Sequence, residues 1–464
     1  MHYKSEEELM YKARQAEGRT FGDIDQSGRI ENERSKGQLG QIIEESFFGY
    51  QVNSISEPDF AHLGIELKVT PVKENKNGTL SAKERLVLNI INYMSEANTT
   101  FDTSSFWNKN KEILLMFYKW LPEVKRADYR IIKSHLHKFT EEDLEIIKQD
   151  WQLINNKIKA GLAHELSEAD TNYLAASTKG ANKNSLRAQP FNNVSAMQRA
   201  YSLKQSYMTV LIRKIISQDD LVRITSPAEL KKKTLLEILN EKFQPFIGKS
   251  LDEISAIAGI EVNHKSKSFL QLFISNLLGI KGTRLEQIDE FAKANIQLKT
   301  VRLEPNGIPK EHMSFRNIDF VEWANENWED SWLNEYFSET KLLFIVFKYK
   351  ETAKENPNRK LFFQGITLWN MPMSEIEGRL KDFFSHVQDL IQEGIELMPV
   401  RQKTRTIVNN NLPKPKFNGL CHIRPKGKDG SDQVPLPDGR MITKQAFWLD
   451  KEVVGQIIKQ PGKD

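Results

Sequence analysis

The sequence predicts two α/β domains in tandem, each a mixed central sheet flanked by helices around a cleft, and three observations carry that expectation. The chain has 464 residues, more than a single compact core holds at roughly 100–200 residues per domain. Segments of the first half recur in the same order in the second, about 230 residues on. Each half also contains a long basic stretch free of acid.

The repeated elements fall in a fixed order. Ser35–Gly49, SKGQLGQIIEESFFG, is matched by Lys265–Gly279, KSKSFLQLFISNLLG. Pro58–Thr70, PDFAHLGIELKVT, is matched by Asp289–Val301, DEFAKANIQLKTV. Glu112–Trp120 and Lys341–Tyr349 are short apolar runs rich in Ile, Phe and Tyr, the pattern of buried strands. An amphipathic helix follows each. The first starts at Thr140 with Asp143 three residues on and stops at Gly161; the second starts at Ser374 with Glu377 three on and stops at Gly394. The join reads as the polar segment 221–234, giving domains 1–220 and 235–464.

Composition narrows the class. One cysteine, Cys421, excludes a disulfide framework and any multi-Cys zinc or iron–sulfur site. The N-terminus is charged from its fourth residue, without the apolar core of a secretory signal. The longest apolar run, Leu342–Phe347, is far short of the ~20 residues a membrane helix needs. A cytoplasmic protein with no membrane partner is expected. The net charge of +4 conceals an uneven distribution: residues 1–230 hold 31 basic and 31 acidic side chains, yet Thr171–Gln218 holds seven basic residues and no acid. Leu397–Lys428 holds eight, again with no acid. Interleaved with Asn, Gln and Tyr, such stretches suit a polyanion, since Lys and Arg neutralise phosphates while Asn, Gln and Arg read base edges.

The chemistry lies in the first copy. Pro58-Asp59 and Glu66-Leu67-Lys68 have the form PD…ExK. Side chains alternate along a strand, so Glu66 and Lys68 share a face while Leu67 turns into the core. Asp59, Glu66 and the Leu67 carbonyl form a hard oxygen set suited to Mg²⁺, and Lys68 stands where it can orient the attacking water. The apolar stripe Leu39, Ile42, Ile43 and Phe47 predicts a helix over 37–48 with Glu44 at its rim as a third carboxylate. In the second copy Gln297 replaces Glu66, Glu290 replaces Asp59 and Ile274 replaces Glu44, while Lys299 stands opposite Lys68. That copy has the frame without the metal ligands, and is expected to bind without cutting.

At KGQLGQIIE…PDFAHLGIELKVTP the sequence closely resembles the MutH family of methyl-directed mismatch-repair nickases, within the PD-(D/E)xK nucleases. The duplicated arrangement is similar to the two-domain type II restriction endonucleases that recognise GATC. The resemblance implies tandem restriction-endonuclease-like (MutH-like) domains and Mg²⁺-dependent cleavage of double-stranded DNA 5′ of the G in GATC. It implies a degenerate C-terminal copy acting as a DNA-binding effector, two sites on the DNA, and self-association there, in a bacterial cytoplasm. Asp59, Glu66 and Lys68 match the catalytic triplet, Glu44 the upstream acid and Lys36 a supporting lysine at the head of its helix. In the recognition region Tyr173–Asn182 resembles a MutH segment, with Lys179 and Asn182 on its motif and Ser177 where MutH has arginine. Lys183 or Arg187 could supply the missing guanine contact. Tyr201, Ser202 and Lys204 resemble a later FYLK element, with Ser202 where MutH has tyrosine. In the second copy Arg424 and Lys426 keep an IRPK spelling, and Trp448 echoes the later element. Two alternatives share these motifs: a mismatch-repair nickase and a non-catalytic DNA-binding regulator.

Other signals read as structural. Gly248-Lys249-Ser250 lacks the upstream glycine of a phosphate loop. His135 and His137 have no partner at zinc spacing, and Trp323, Trp328 and Trp332 have core-like helical spacing.

Overall fold

The computed structural model describes residues 3–32, 37–51, 57–180, 184–259, 269–280, 285–401 and 406–459. Its chain forms two compact units. The first comprises Met1–Leu235 and Glu286–Asn295; the second comprises Leu236–Leu285 and Ile296–Asp464.

Among the described residues the first unit carries nine strands: β1 (Ile65–Glu74), β2 (Leu80–Ala82), β3 (Leu86–Ile90), β4 (Glu112–Lys119), β5 (Arg130–Lys138), β6 (Leu174–Thr178), β7 (Leu186–Gln189), β8 (Asn192–Met197) and β9 (Arg199–Leu203). One mixed sheet has the order β2-β1-β4-β5, with β1 and β4 parallel and Glu66 paired to Ile113. A parallel pair needs both faces covered. Ile42, Ile43, Phe47 and Phe48 do this on one side, in the same buried cluster as Phe60, Leu67, Leu114 and Met116. The second sheet, β3-β9-β6, is antiparallel, and β7-β8 is a hairpin.

The second unit carries β10 (Ile296–Leu303), β11 (Met313–Asn317), β12 (Lys341–Tyr349), β13 (Leu361–Trp369), β14 (Leu397–Arg401), β15 (Thr406–Asn410), β16 (Cys421–Pro425), β17 (Gln433–Pro435), β18 (Met441–Thr443) and β19 (Gln445–Leu449). Its mixed sheet, β10-β12-β13, begins with a parallel pair in which Gln297 faces Leu342, the second rung, as Glu66 occupies the second rung of β1-β4. An antiparallel sheet β11-β19-β16 and a hairpin β17-β18 follow the arrangement of the first unit; β14-β15 has no counterpart there among the described residues. Trp323, Trp328 and Trp332 are buried in the core.

Several expected elements differ. The helix anticipated over 37–48 is α-helical only from Gln38 to Ile42, then continues as a π-turn over Ile43–Phe47. That turn widens the backbone at Glu44 and sets the direction of its side chain. The helix expected from Ser374 begins as a short turn, Met373–Glu375, passes a π-turn with non-helical Gly378, and becomes regular over Lys381–Glu393. Its N-cap position is Pro372, and Glu377 accepts a hydrogen bond from Trp328 Nε1 instead of completing a box. By contrast, the helix Glu141–Lys159 has its cap at Thr140, whose hydroxyl accepts the Asp143 N–H. Ser250 caps Leu251–Ala258 with Glu253, which accounts for the Gly-Lys-Ser spelling.

Segment 221–234 is not a free linker. It contributes the helix Pro227–Leu230, capped by Ser226, and pairs Val222 with Ile288. The helix Asp289–Ala294 belongs to the first unit. There Lys293 Nζ lies 2.8 Å from Asp143 and 2.9 Å from Asp289, and Arg223 bonds Asp143 at 3.0 Å and Asp289 at 2.9 Å. Burial works to raise the Asp143 pKa, but the two cations prevail and hold it below its ordinary value. Among the described residues no helix is long and apolar enough to cross a membrane.

Candidate active site

Glu66 is the second residue of β1, and its side chain is 2% exposed. Strand alternation brings Lys68 to the same face, where its ammonium donates to Glu66 Oε1 at 2.7 Å. Asp59 lies in the turn before the strand, and the two segments are tied from both directions. Leu67 N–H donates to Asp59 Oδ2 at 2.9 Å, and Asp59 N–H approaches Glu66 Oε2 at 3.3 Å. Leu67 is buried in the core, leaving its backbone between the two carboxylates.

Glu44 completes an electrostatic set. Burial raises its pKa, and the negative charges of Asp59 and Glu66 add to the rise while Lys68 opposes it. Burial likewise lifts Glu66; Lys68 and Lys109 pull the other way, and Asp59 pushes up. Carboxylates that raise one another's pKa beside a strand end mark excess negative charge in a low-dielectric place, the condition a divalent cation relieves. The donor set is all oxygen, as Mg²⁺ requires.

Lys109 escapes sequence reasoning. It lies on the helix Ser105–Asn110, and its ammonium is 3.6 Å from Glu66 Oε1. Asn110, fully buried, fixes the end of that helix by donating to Asn89 and to the Phe106 carbonyl. Only the parallel pairing of β1 with β4 brings Lys109 to Glu66. A lysine three residues before an apolar run that pairs with the ExK strand is the signal that was available. Lys36 lies outside the described residues.

The recognition region separates into exposed and buried parts. Asp150, on the helix Glu141–Lys159, accepts the N–H groups of Asn172, Tyr173 and Leu174 at 2.6–3.0 Å, anchoring the start of β6. Lys179, just beyond β6, and Arg187, on β7, are exposed. Asn182 and Lys183 lie outside the described residues. Tyr201, Ser202 and Lys204 depart from the expected DNA contacts, because all three side chains are buried. Tyr201 OH donates to Glu96 Oε1 at 3.0 Å, Ser202 Oγ approaches the Ala175 carbonyl at 3.5 Å, and Lys204 Nζ donates to the Thr171 carbonyl at 2.7 Å. They serve the core under the β6-β9 pair. Ser177 is buried as well.

In the second unit the matching positions have other partners. Gln297 is exposed and its Oε1 accepts from Tyr336 OH at 2.7 Å. Ile274 is buried. Glu290 belongs to the first unit, where its carboxylate accepts the N–H groups of Ile224 and Thr225 and the Thr225 hydroxyl. Arg424 is exposed on β16, with its guanidinium 5.5 Å over the ring of half-buried Trp448 on β19. Lys426 reaches the Phe315 carbonyl at 2.6 Å.

The family model described as DNA mismatch repair enzyme MutH matches residues 48–150 and again 281–382. The type II restriction enzyme Sau3AI of Staphylococcus aureus is 36% identical over 98% of this chain and 99% of its own length. The DNA mismatch repair protein MutH of Shewanella woodyi is 33% identical over 39% of this chain and 79% of that protein. MutH of Actinobacillus pleuropneumoniae serotype 5b is 28% identical over 46% of this chain and 95% of its own.

Proposed function

The chain belongs to the MutH family as a type II site-specific endonuclease, and we propose that it cuts double-stranded DNA at GATC, 5′ of the G, in the bacterial cytoplasm. The observation that carries the assignment of the chemistry is the Asp59–Glu66–Lys68 constellation, tied by hydrogen bonds of 2.7–3.3 Å. Asp59, Glu66 and the Leu67 carbonyl would hold Mg²⁺, with Glu44 adding negative charge. The ion supplies Lewis acidity and a water of lowered pKa. Lys68 favours the ionised form of Glu66 against the effect of burial and would orient the attacking water; Lys109 lies beside the same carboxylate oxygen and favours the ionised form as well. Lys179 and Arg187 offer exposed cations for the DNA.

The two units descend from one duplicated frame in this reading. The repeated strand order, the same rung for Glu66 and Gln297, and the two family-model matches support it. The second unit is then a DNA-binding effector without chemistry of its own: its counterpart of Glu66 is an amide, and Glu290 is engaged elsewhere. Near full-length similarity to a restriction enzyme favours this over the repair nickase, because the MutH relatives match less than half of the chain.

Incubating the purified chain with Mg²⁺ and unmethylated plasmid, then sequencing the fragment ends, tests the assignment. Ends beginning with GATC and a 5′ phosphate are expected. Glu66→Gln should abolish cutting and leave binding to a GATC duplex nearly unchanged. Retained cleavage would remove Glu66 from the site, and no cleavage by the unaltered chain would favour the regulator.

A further inference from the structure

The second unit has a cavity of about 350 Å³ at the end of β10 where its relatives in the first unit carry the catalytic triplet. Gln297, Lys299, Arg316, Trp332, Tyr336 and Lys426 line it, and no acidic side chain does so among the described residues. Lys299 lies one alternation on from Gln297, as Lys68 does from Glu66, but it has no carboxylate to meet. Its ammonium donates instead to the Ser314 carbonyl at 3.2 Å and lies 4.3 Å over the Phe315 ring. Lys426 converges on the same strand by donating to the Phe315 carbonyl. Arg316 sits 4.6 Å over Trp332 and bonds Glu322 at 2.7 Å outside the cavity lining.

From this geometry we infer that the vestigial catalytic cleft of the second unit is a metal-independent oxyanion site that seats a phosphate of duplex DNA between Lys299 and Lys426. The inference deepens the effector reading above and rests on it. Two ammonium groups without a carboxylate repel a divalent cation and attract a phosphate. Each already spends one donor on a backbone carbonyl, which fixes its position while two N–H groups remain for a ligand. Tyr336 holds Gln297 by its amide oxygen, leaving the amide NH₂ as a further neutral donor. Burial, with Lys426 nearby, brings the Lys299 pKa down to about 8, so the site carries unrelieved positive charge that an anion would stabilise.

Lysine acylation read by mass spectrometry on the full chain tests this in EDTA at pH 8. Lys299, partly neutral there, should label faster than ordinary surface lysines. A 20-base-pair GATC duplex should slow its labelling about tenfold, and Lys426→Gln should remove most of that protection. The same variant should lower the slope of log affinity against log salt by about 1. Absence of slowing, slowing only when Mg²⁺ is added, or slowing by inorganic phosphate but not by duplex would each overturn the site. Plasmid cleavage by the same preparation separates the two claims. Cutting without Lys299 protection defeats the oxyanion site alone, while protection without cutting defeats the nuclease assignment alone.

Discussion

At Glu66 two lysines compete to neutralise one buried carboxylate. Lys68 is at 2.7 Å and Lys109 at 3.6 Å, yet burial still leaves the pKa above its ordinary value. In the proposed site Mg²⁺ takes the ionised form of this group, so the rate at sub-saturating Mg²⁺ should rise with pH along a limb lying above the usual carboxyl range. Lys109→Ala removes a cation that favours the charged form, and the limb should move to higher pH. Rates measured from pH 5 to 9 for both proteins would show it; an unmoved limb would mean that Lys109 does not act through Glu66. That Glu66 and Lys68 share a face was readable in the sequence because strand alternation is a local rule. Lys109 was not, since it meets Glu66 only through pairing of strands far apart in the chain. Nor does a sequence distinguish a basic residue that faces DNA from one that braces a core. Lys204 and Arg199 lie in the acid-free stretch and are both buried, each donating to a backbone carbonyl.

Among the elements, the helix Asp289–Ala294 carries a buried ion-pair network. Lys293 sits between Asp143 and Asp289 with almost no exposed side-chain surface. Removing one partner from such a group strands a charge in the interior, at a cost of about 3–5 kcal/mol. Lys293→Met should therefore lower the unfolding free energy of the first unit, read from urea melts, by that amount. The lowered pKa of Asp143 sets the pH dependence. Its contribution is present above the ordinary carboxylate pKa and is lost as pH falls through the lower folded value. The variant's stability should accordingly change less over that acid range; an equal slope in urea melts at pH 3 to 6 would count against the network. The helix Glu141–Lys159, with its cap and apolar stripe, was legible. The π-turns at Ile43–Phe47 and Ile376–Leu380 were not, because the apolar residues on either side keep a helical spacing of three or four.

For the molecule as a whole, the proposed single set of catalytic residues per chain would have both strands cut by two chains meeting on the DNA or by successive nicks. On the proposed effector role of the second unit, a plasmid carrying two GATC sites should be cut faster per site than one carrying a single site. Equal per-site rates would exclude an effector role. The matched segments in a fixed order were visible in the sequence, whereas the place where the two units divide the chain was not. Residues 286–295 align with the turn that carries Asp59, yet their charges satisfy Asp143 and Arg223 in the first unit. Which body completes a segment's ion pairs is decided by packing, and no repeat pattern encodes it.

That exchange of ten residues matters for anyone who tries to take the enzyme apart. A truncation after Leu235 keeps every proposed catalytic side chain but removes the Lys293 ammonium beside Asp143 and one of the three carboxylates around Arg223. The gene is divisible at its midpoint only on paper: a working first half must carry residues 286–295 with it, grafted in cis or added as a peptide.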